Sequence, residues 1–118
     1  SGGRSRNPVA HAPLALADWR TLDGGALVPV ALVYPHRTGT TFGVRHNPAR
    51  ELAWYYLGGQ TPDEVALIKC FDSETGETGT GGETARLTPH TAFRDAGSPR
   101  DAPHRQSIEV RALVFDAE

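Results

Sequence analysis

The sequence lacks most features of exported, membrane or nucleic-acid-binding proteins. Its single cysteine, Cys70, excludes an internal disulfide and a zinc site built from several cysteines. No apolar run approaches the roughly 18 residues of a membrane span, and no charged-then-apolar leader opens the sequence. With 12 Lys and Arg against 14 Asp and Glu, the net charge is −2, without the basic surplus of a nucleic-acid binder. These absences predict a cytoplasmic protein with neither nucleic acid nor a membrane as its partner.

The 118 residues are enough for one domain, and we expect 1–118 to form a single one. Residues 1–13 contain Asn7-Pro8 and Pro13 but little apolar periodicity, which predicts an extended arm. Residues 72–83 are rich in Gly, Thr and Glu and predict a flexible surface loop. A second loop is predicted over 94–103.

The rest of the sequence consists of short β-like runs separated by turn signals. Leu14 to Ala17 fits either a strand or a helical turn, and Asp23-Gly24-Gly25 indicates a turn. No amphipathic helix of ten or more residues is predicted. We therefore expect a mainly β, mostly antiparallel protein of the sandwich or jelly-roll class with about six strands and few or no helices. The predicted strands cover 26–34, 40–46, 51–57, 65–71, 85–93 and 107–115.

Three of these runs carry more detailed predictions. Pro29 inside 26–34 indicates an edge strand or a bulge, because proline cannot donate to a sheet ladder. The nearly continuous apolar run 65–71 is typical of a central strand covered on both faces. Residues 107–115 alternate most clearly, with Ile108, Val110, Ala112 and Val114 on one face.

The histidines are the first candidates for a metal site. A mononuclear non-haem iron site commonly uses two histidines and a carboxylate, of which His-x-Asp/Glu on a strand supplies two. None of the five histidines has a carboxylate two residues later, so spacing alone assembles no complete site. His90 stands out because it follows Pro89 within a β-like run. It is either an iron ligand or a structural histidine that donates to a backbone carbonyl.

The other candidates are charged and aromatic. Arg111 lies in mid-strand, with Arg105 and Glu109 on the same face by parity, and this set is either a structural ladder or a clamp for a ligand carboxylate. Trp54 and Tyr55 point to opposite faces of a strand; most of this aromatic run is expected to be core, although one face could line a pocket. Lys69, near Asp72, is either part of a polar cluster at the mouth of a sheet or an ordinary surface residue.

Several segments in order resemble one known family. They are Asn47-Pro48 with Trp54-Tyr55-Tyr56, then 60–65 running into 68–73, and finally 89–93 with 107–115; 13–18 adds a weaker match. Together they cover roughly 8–115 and resemble the hydroxylase/desaturase-like family of fungal and bacterial secondary metabolism, which includes gibberellin-desaturase-like and cephem-methoxylase-subunit-like proteins.

The resemblance implies an Fe(II)/2-oxoglutarate oxygenase with a double-stranded β-helix, the jelly roll. It implies that His90 binds the iron, that Arg105 or Arg111 binds the far carboxylate of 2-oxoglutarate, and that Trp54, Tyr55 and Lys69 surround the pocket. The reaction implied is hydroxylation or desaturation of a small-molecule substrate.

The family's His-x-Asp pair would fall before Ser1, so the chain resembles a C-terminal half. The other iron ligands would then come from an N-terminal half or from a homodimer partner. The alternative is a degenerate, non-catalytic β-domain that binds a small carboxylate or a protein partner.

Overall fold

The computed structural model describes residues 7–75 and 84–115, and these contain five strands and no α-helix. The strands are β1 (Leu14–Ala17), β2 (Leu27–Tyr34), β3 (Arg37–Val44), β4 (Trp54–Tyr56) and β5 (His90–Ala92). Two 3₁₀ helices, Trp19–Thr21 and Gly24–Ala26, lie between β1 and β2. The prediction of a mainly β chain is confirmed, with one strand fewer than the six expected.

The two 3₁₀ helices exist because an aspartate precedes each of them. Asp18 and Asp23 cap the helices by accepting hydrogen bonds from the backbone N–H groups of Arg20 (3.0 Å) and Gly25 (3.1 Å). The Arg20 guanidinium also donates to the Asp18 carboxylate at 2.8 Å. That side-chain hydrogen bond is the main reason why the pKa of Asp18 lies below its ordinary value. The turn predicted at 23–25 is confirmed.

The first sheet has the order β4-β1-β5, and both pairs are antiparallel. Alternation along β1 places Ala15 and Ala17 on one face, where each is only 5% exposed. Tyr56 stacks edge-on against Phe93 on this face, with ring centroids 4.9 Å apart. The opposite face carries Leu16 and is more open. The run at 14–17 is therefore a strand, the first of its two predicted alternatives.

The second sheet is the hairpin of β2 and β3, which runs from the pair Leu27–Val44 to the pair Tyr34–Arg37. Pro35 and His36 form its two-residue loop. Pro29 lies opposite Phe42 in this two-stranded sheet, where each strand has an open edge. The edge-strand prediction for Pro29 is thus confirmed, and the third strand begins at Arg37 rather than at the predicted residue 40.

Two predicted strands do not form. Residues 65–71 and 107–115 are not strands in the structure, and their apolar side chains are exposed: Leu67 by 91% and Val110 by 85%. The physical reason is the lack of a neighbouring strand among the described residues. One backbone hydrogen bond, from Thr88 N–H to the Lys69 carbonyl at 2.8 Å, joins 65–71 to the segment before β5. The expected double-sided cover of 65–71 is therefore wrong for this chain by itself.

Other boundaries differ less. The predicted strands 51–57 and 85–93 shorten to β4 and β5, three residues each. The arm at 7–13 is irregular and is attached by a hydrogen bond from Val9 N–H to the Gln60 carbonyl at 2.8 Å. The loop at 94–103 forms as predicted. Residues 1–6 of the arm and 76–83 of the other loop lie outside the described residues. No helix in the described part of the chain is long and apolar enough to cross a membrane.

Candidate active site

The first sheet aligns three candidate positions in one row. Leu16 pairs with Tyr55 of β4 on one side and with His90 of β5 on the other. Because directly paired residues of antiparallel strands point to the same face, Tyr55 and His90 share the open face of the sheet. Trp54 pairs with Ala17 and lies on the opposite, alanine-lined face. The structure thus brings together Tyr55 and His90 but not Trp54.

The imidazole of His90 is held by the segment that leads into its strand. Its Nδ1 lies 3.0 Å from the backbone carbonyl of Thr88. Because a carbonyl only accepts, Nδ1 must carry the proton, and the lone pair of the neutral ring is then on Nε2. This is the structural interaction predicted as one alternative for His90. It is also how metal-binding histidines are usually oriented, since the second ring nitrogen donates to a carbonyl or carboxylate.

The donor chemistry at His90 therefore fits an iron ligand. The remaining ligands are not supplied by the residues in 7–75 and 84–115, because no group of three His, Cys, Asp or Glu side chains there is arranged to hold a metal ion. The described residues therefore contain no complete metal site, and His90 is a candidate for a single ligand.

Glu109 and Arg111 form an ion pair within the segment 107–115. Arg111 Nε donates to Glu109 Oε1 at 2.8 Å, and both side chains are largely exposed. This bond is the main reason why the pKa of Glu109 is lowered, and the His90 ring adds a smaller electrostatic contribution in the same direction.

Arg105 has a different environment from Arg111. It is half-buried and lines a groove of about 190 Å³ between residues 7–9 and 103–106. Beside this groove, the rings of His11 and His104 lie 5.9 Å apart. Among the described residues, Arg105 has no ion-pair partner, whereas the guanidinium of Arg111 is already engaged by Glu109. Of the two, Arg105 is the better placed to receive a carboxylate from a ligand.

Lys69 forms the predicted polar cluster with Asp72. The two side chains form an ion pair at 2.6 Å. This bond is the main reason why the pKa of Asp72 lies below its ordinary value. The Lys69 carbonyl is bonded to Thr88, so the cluster lies beside the segment that leads to His90. Sequence reasoning missed Thr88 because its contribution is a backbone carbonyl, which every residue type possesses.

Comparison with known proteins assigns the family. Residues 4–115 match the family described as oxidoreductase/YMDC permease-like domain. The chain belongs to this family. It is 41% identical over 113 residues to aspirochlorine biosynthesis protein N of Aspergillus oryzae, a match that covers 93% of this chain and 44% of the relative.

Two further relatives carry more descriptive names. Hydroxylase/desaturase asaB of Aspergillus flavus is 35% identical, over 95% of this chain and 52% of the relative. The Fe(II)/2-oxoglutarate-dependent dioxygenase nvfI of Aspergillus novofumigatus is 36% identical, over 92% of this chain and 36% of the relative. The resemblance to the hydroxylase/desaturase-like family is confirmed. The chain spans about half, or less, of the length of these curated relatives.

A solved structure agrees with the sequence matches. The iron and alpha-ketoglutarate-dependent endoperoxidase NvfI superposes with a TM-score of 0.67 and 32% identity, over 82% of this chain and 33% of the NvfI chain. The predicted fold, part of a jelly roll, is confirmed. None of these matches supports the alternative of a non-catalytic binding domain.

Proposed function

We propose that this chain provides part of an Fe(II)/2-oxoglutarate-dependent oxygenase that hydroxylates or desaturates a small secondary metabolite. The observation that carries the proposal is the His90 ring, whose Nδ1 bond to Thr88 leaves Nε2 as a metal donor on the open face of a jelly-roll sheet. The relatives named as a hydroxylase/desaturase and as an Fe(II)/2-oxoglutarate-dependent dioxygenase support the same chemistry.

Each candidate residue then has a definite task. His90 Nε2 would hold the iron, and the half-buried Arg105 would bind the far carboxylate of 2-oxoglutarate through its planar fork. Tyr55, on the face of His90, would offer a ring and a hydroxyl to the substrate. Lys69 would remain at the rim, held by Asp72. We assign no substrate contact to Trp54.

The cofactors would supply the oxidising power. Together with dioxygen, they would provide for the removal of hydrogen from an unactivated carbon, and 2-oxoglutarate would be converted to succinate and carbon dioxide. The protein's own task is to orient His90, to bind the carboxylate and to exclude water from the reacting carbon. The remaining iron ligands would come from the N-terminal half of a jelly roll or from a second chain. A cytoplasmic location is part of the proposal, because the one cysteine is free and exposed.

The proposal is tested by a chimaera. The region of NvfI that matches this chain is replaced by the chain itself, so that NvfI supplies the other ligands. The chimaera is titrated with Fe(II) and 2-oxoglutarate without oxygen, and the visible charge-transfer band of the chelated complex is recorded. We expect a saturable band that His90→Ala abolishes and His46→Ala retains. A folded chimaera without the band, or one whose band survives His90→Ala, would contradict the proposal.

A further inference from the structure

The arm before β1 carries a histidine that meets a second histidine from the other end of the chain. Backbone hydrogen bonds hold the arm on both sides of His11: Val9 N–H donates at 2.8 Å, and the Pro13 carbonyl accepts at 3.2 Å. Between these two bonds, the ring of His11 lies 5.9 Å from the ring of His104, and the two planes are tilted by 34°. The arm therefore keeps His11 beside His104 through contacts that neither ring makes.

The residue after His11 has an unusual backbone conformation. Ala12 has φ +47°, and among the described residues it is the one non-glycine residue with a positive φ. This left-handed conformation is unfavourable for a residue with a Cβ. Such strain persists only where the surrounding structure holds it, and it is concentrated at binding and catalytic sites. The strain at Ala12 therefore singles out this part of the arm as a candidate binding site.

The ring nitrogens of His11 and His104 are available to a ligand. In the part of the chain that the structure describes, neither imidazole forms a hydrogen bond or an ion pair. His90 differs, because its Nδ1 is already bonded to the Thr88 carbonyl. A neutral imidazole has one nitrogen with a free lone pair, so the two neighbouring rings together offer two donors to a metal ion.

The spacing of the two rings fits a shared metal ion. Two imidazoles that each bind one zinc ion at about 2.0–2.1 Å have ring centres about 5–6.5 Å apart, and the 5.9 Å between His11 and His104 lies in this range. His104 also lines the groove of about 190 Å³ between residues 7–9 and 103–106. This groove has room for the water molecules that would complete the coordination of the ion.

We propose that His11 and His104 bind a divalent transition metal ion of the zinc, nickel and copper class, and that the ion fastens the arm to the segment 103–106. Imidazole nitrogen suits these ions, whereas magnesium and calcium prefer oxygen ligands. Arg105 lines the same groove, and its positive charge opposes a cation. With two protein ligands, we therefore expect a modest Kd, between about 1 µM and 1 mM. The inference goes beyond the proposed function, and its test uses neither iron nor 2-oxoglutarate.

The test titrates the full 118-residue chain with Zn²⁺ alone and follows the imidazole signals by NMR. We expect one ion per chain, with the ring signals of His11 and His104 shifting together at the same midpoint. The signals of His36 and His46, which are also exposed, serve as internal controls and should not move in that range. Ni²⁺ should compete with Zn²⁺, and Mg²⁺ should not. Because the unmodified chain identifies its own ligands, this measurement does not depend on the folding of any variant.

Substitutions test the same site and the fastening of the arm. His11→Gln and His104→Gln should each weaken Zn²⁺ binding at least tenfold, whereas His46→Gln and His90→Ala should change it less than twofold. Bound Zn²⁺ should also slow the exchange of the Val9 amide with solvent, because an ion that binds only the fastened arm stabilises it. Either substitution at the site should remove that protection.

Three outcomes would overturn the inference. They are the absence of saturable Zn²⁺ binding below about 1 mM, binding that survives both His11→Gln and His104→Gln, and binding that is lost in His90→Ala instead. Zn²⁺ binding at the two histidines without protection of the Val9 amide would refute the fastening of the arm.

Discussion

At the scale of single residues, the candidate site depends on contacts made within a few positions of the chain. His90 is oriented by a carbonyl two residues earlier, and Arg111 is held by a carboxylate two residues earlier. Such contacts survive when more distant parts of a fold are absent. His90 was singled out from the sequence because it follows Pro89 in a β-like run, with the structural hydrogen bond as one alternative, but spacing alone did not distinguish the two arginines.

Arg105 and Arg111 differ in whether their guanidinium group is already paired with a carboxylate. Arg105→Ala should weaken 2-oxoglutarate binding to the chimaera by about 10- to 150-fold, the equivalent of about 1.5–3 kcal/mol for a charged hydrogen bond. Arg111→Ala should change that affinity less than threefold, since its guanidinium is paired with Glu109 at an exposed site. Calorimetric titration with 2-oxoglutarate checks both. If Arg111→Ala weakened 2-oxoglutarate binding more than Arg105→Ala did, Arg111 would be the residue that binds the carboxylate.

At the scale of secondary-structure elements, predictions succeeded where a strand finds its partner within the chain. The strands β2 and β3 pair with each other through a two-residue loop, so local sequence is sufficient. Residues 107–115 have the clearest alternation in the sequence but form no strand, since a strand is stabilised by its neighbour as well as by its pattern. The order β4-β1-β5 was not predictable either, because it joins distant segments.

The turn after β4 allows a local test. Gly59 has φ +65°, a left-handed conformation that costs a residue with Cβ about 1 kcal/mol. The next carbonyl, of Gln60, holds the arm through Val9 N–H. Gly59→Ala should therefore make the Val9 amide exchange with solvent about fivefold faster. Gly58→Ala, where a new Cβ meets only Tyr56 at 3.7 Å, is the matched control and should leave the rate nearly unchanged.

At the scale of the whole molecule, the described residues supply little of the usual driving force for folding. Burial of large apolar side chains is the dominant favourable contribution to folding, and among the described residues Leu22 is the largest hydrophobic side chain that is buried. A hydrophobic content of 38% is compatible with a folded domain with a slightly lean core, so composition does not predict so little burial. Composition gives the number of apolar residues, but it does not show whether the fold of this chain buries them.

This predicts how the chain responds to heat. By itself it should show a broad, weakly cooperative calorimetric transition and should bind a hydrophobic dye. The NvfI chimaera should show one sharp transition and little dye binding, because the exposed segments are then covered. Scanning calorimetry with dye fluorescence provides the comparison. A single sharp peak from the chain alone would show that it folds independently and that the exposed segments find cover within it.

The bond between His90 and Thr88 also has a kinetic consequence. The donor and the acceptor belong to the same short segment. The orientation of the imidazole ring therefore does not depend on the other ligands of the proposed iron site. One imidazole offers a hexahydrated ferrous ion a single bond, and the ion exchanges quickly with the buffer. In the proposed site, His90 would therefore retain iron only once the other ligands are in place, with its own ring already oriented.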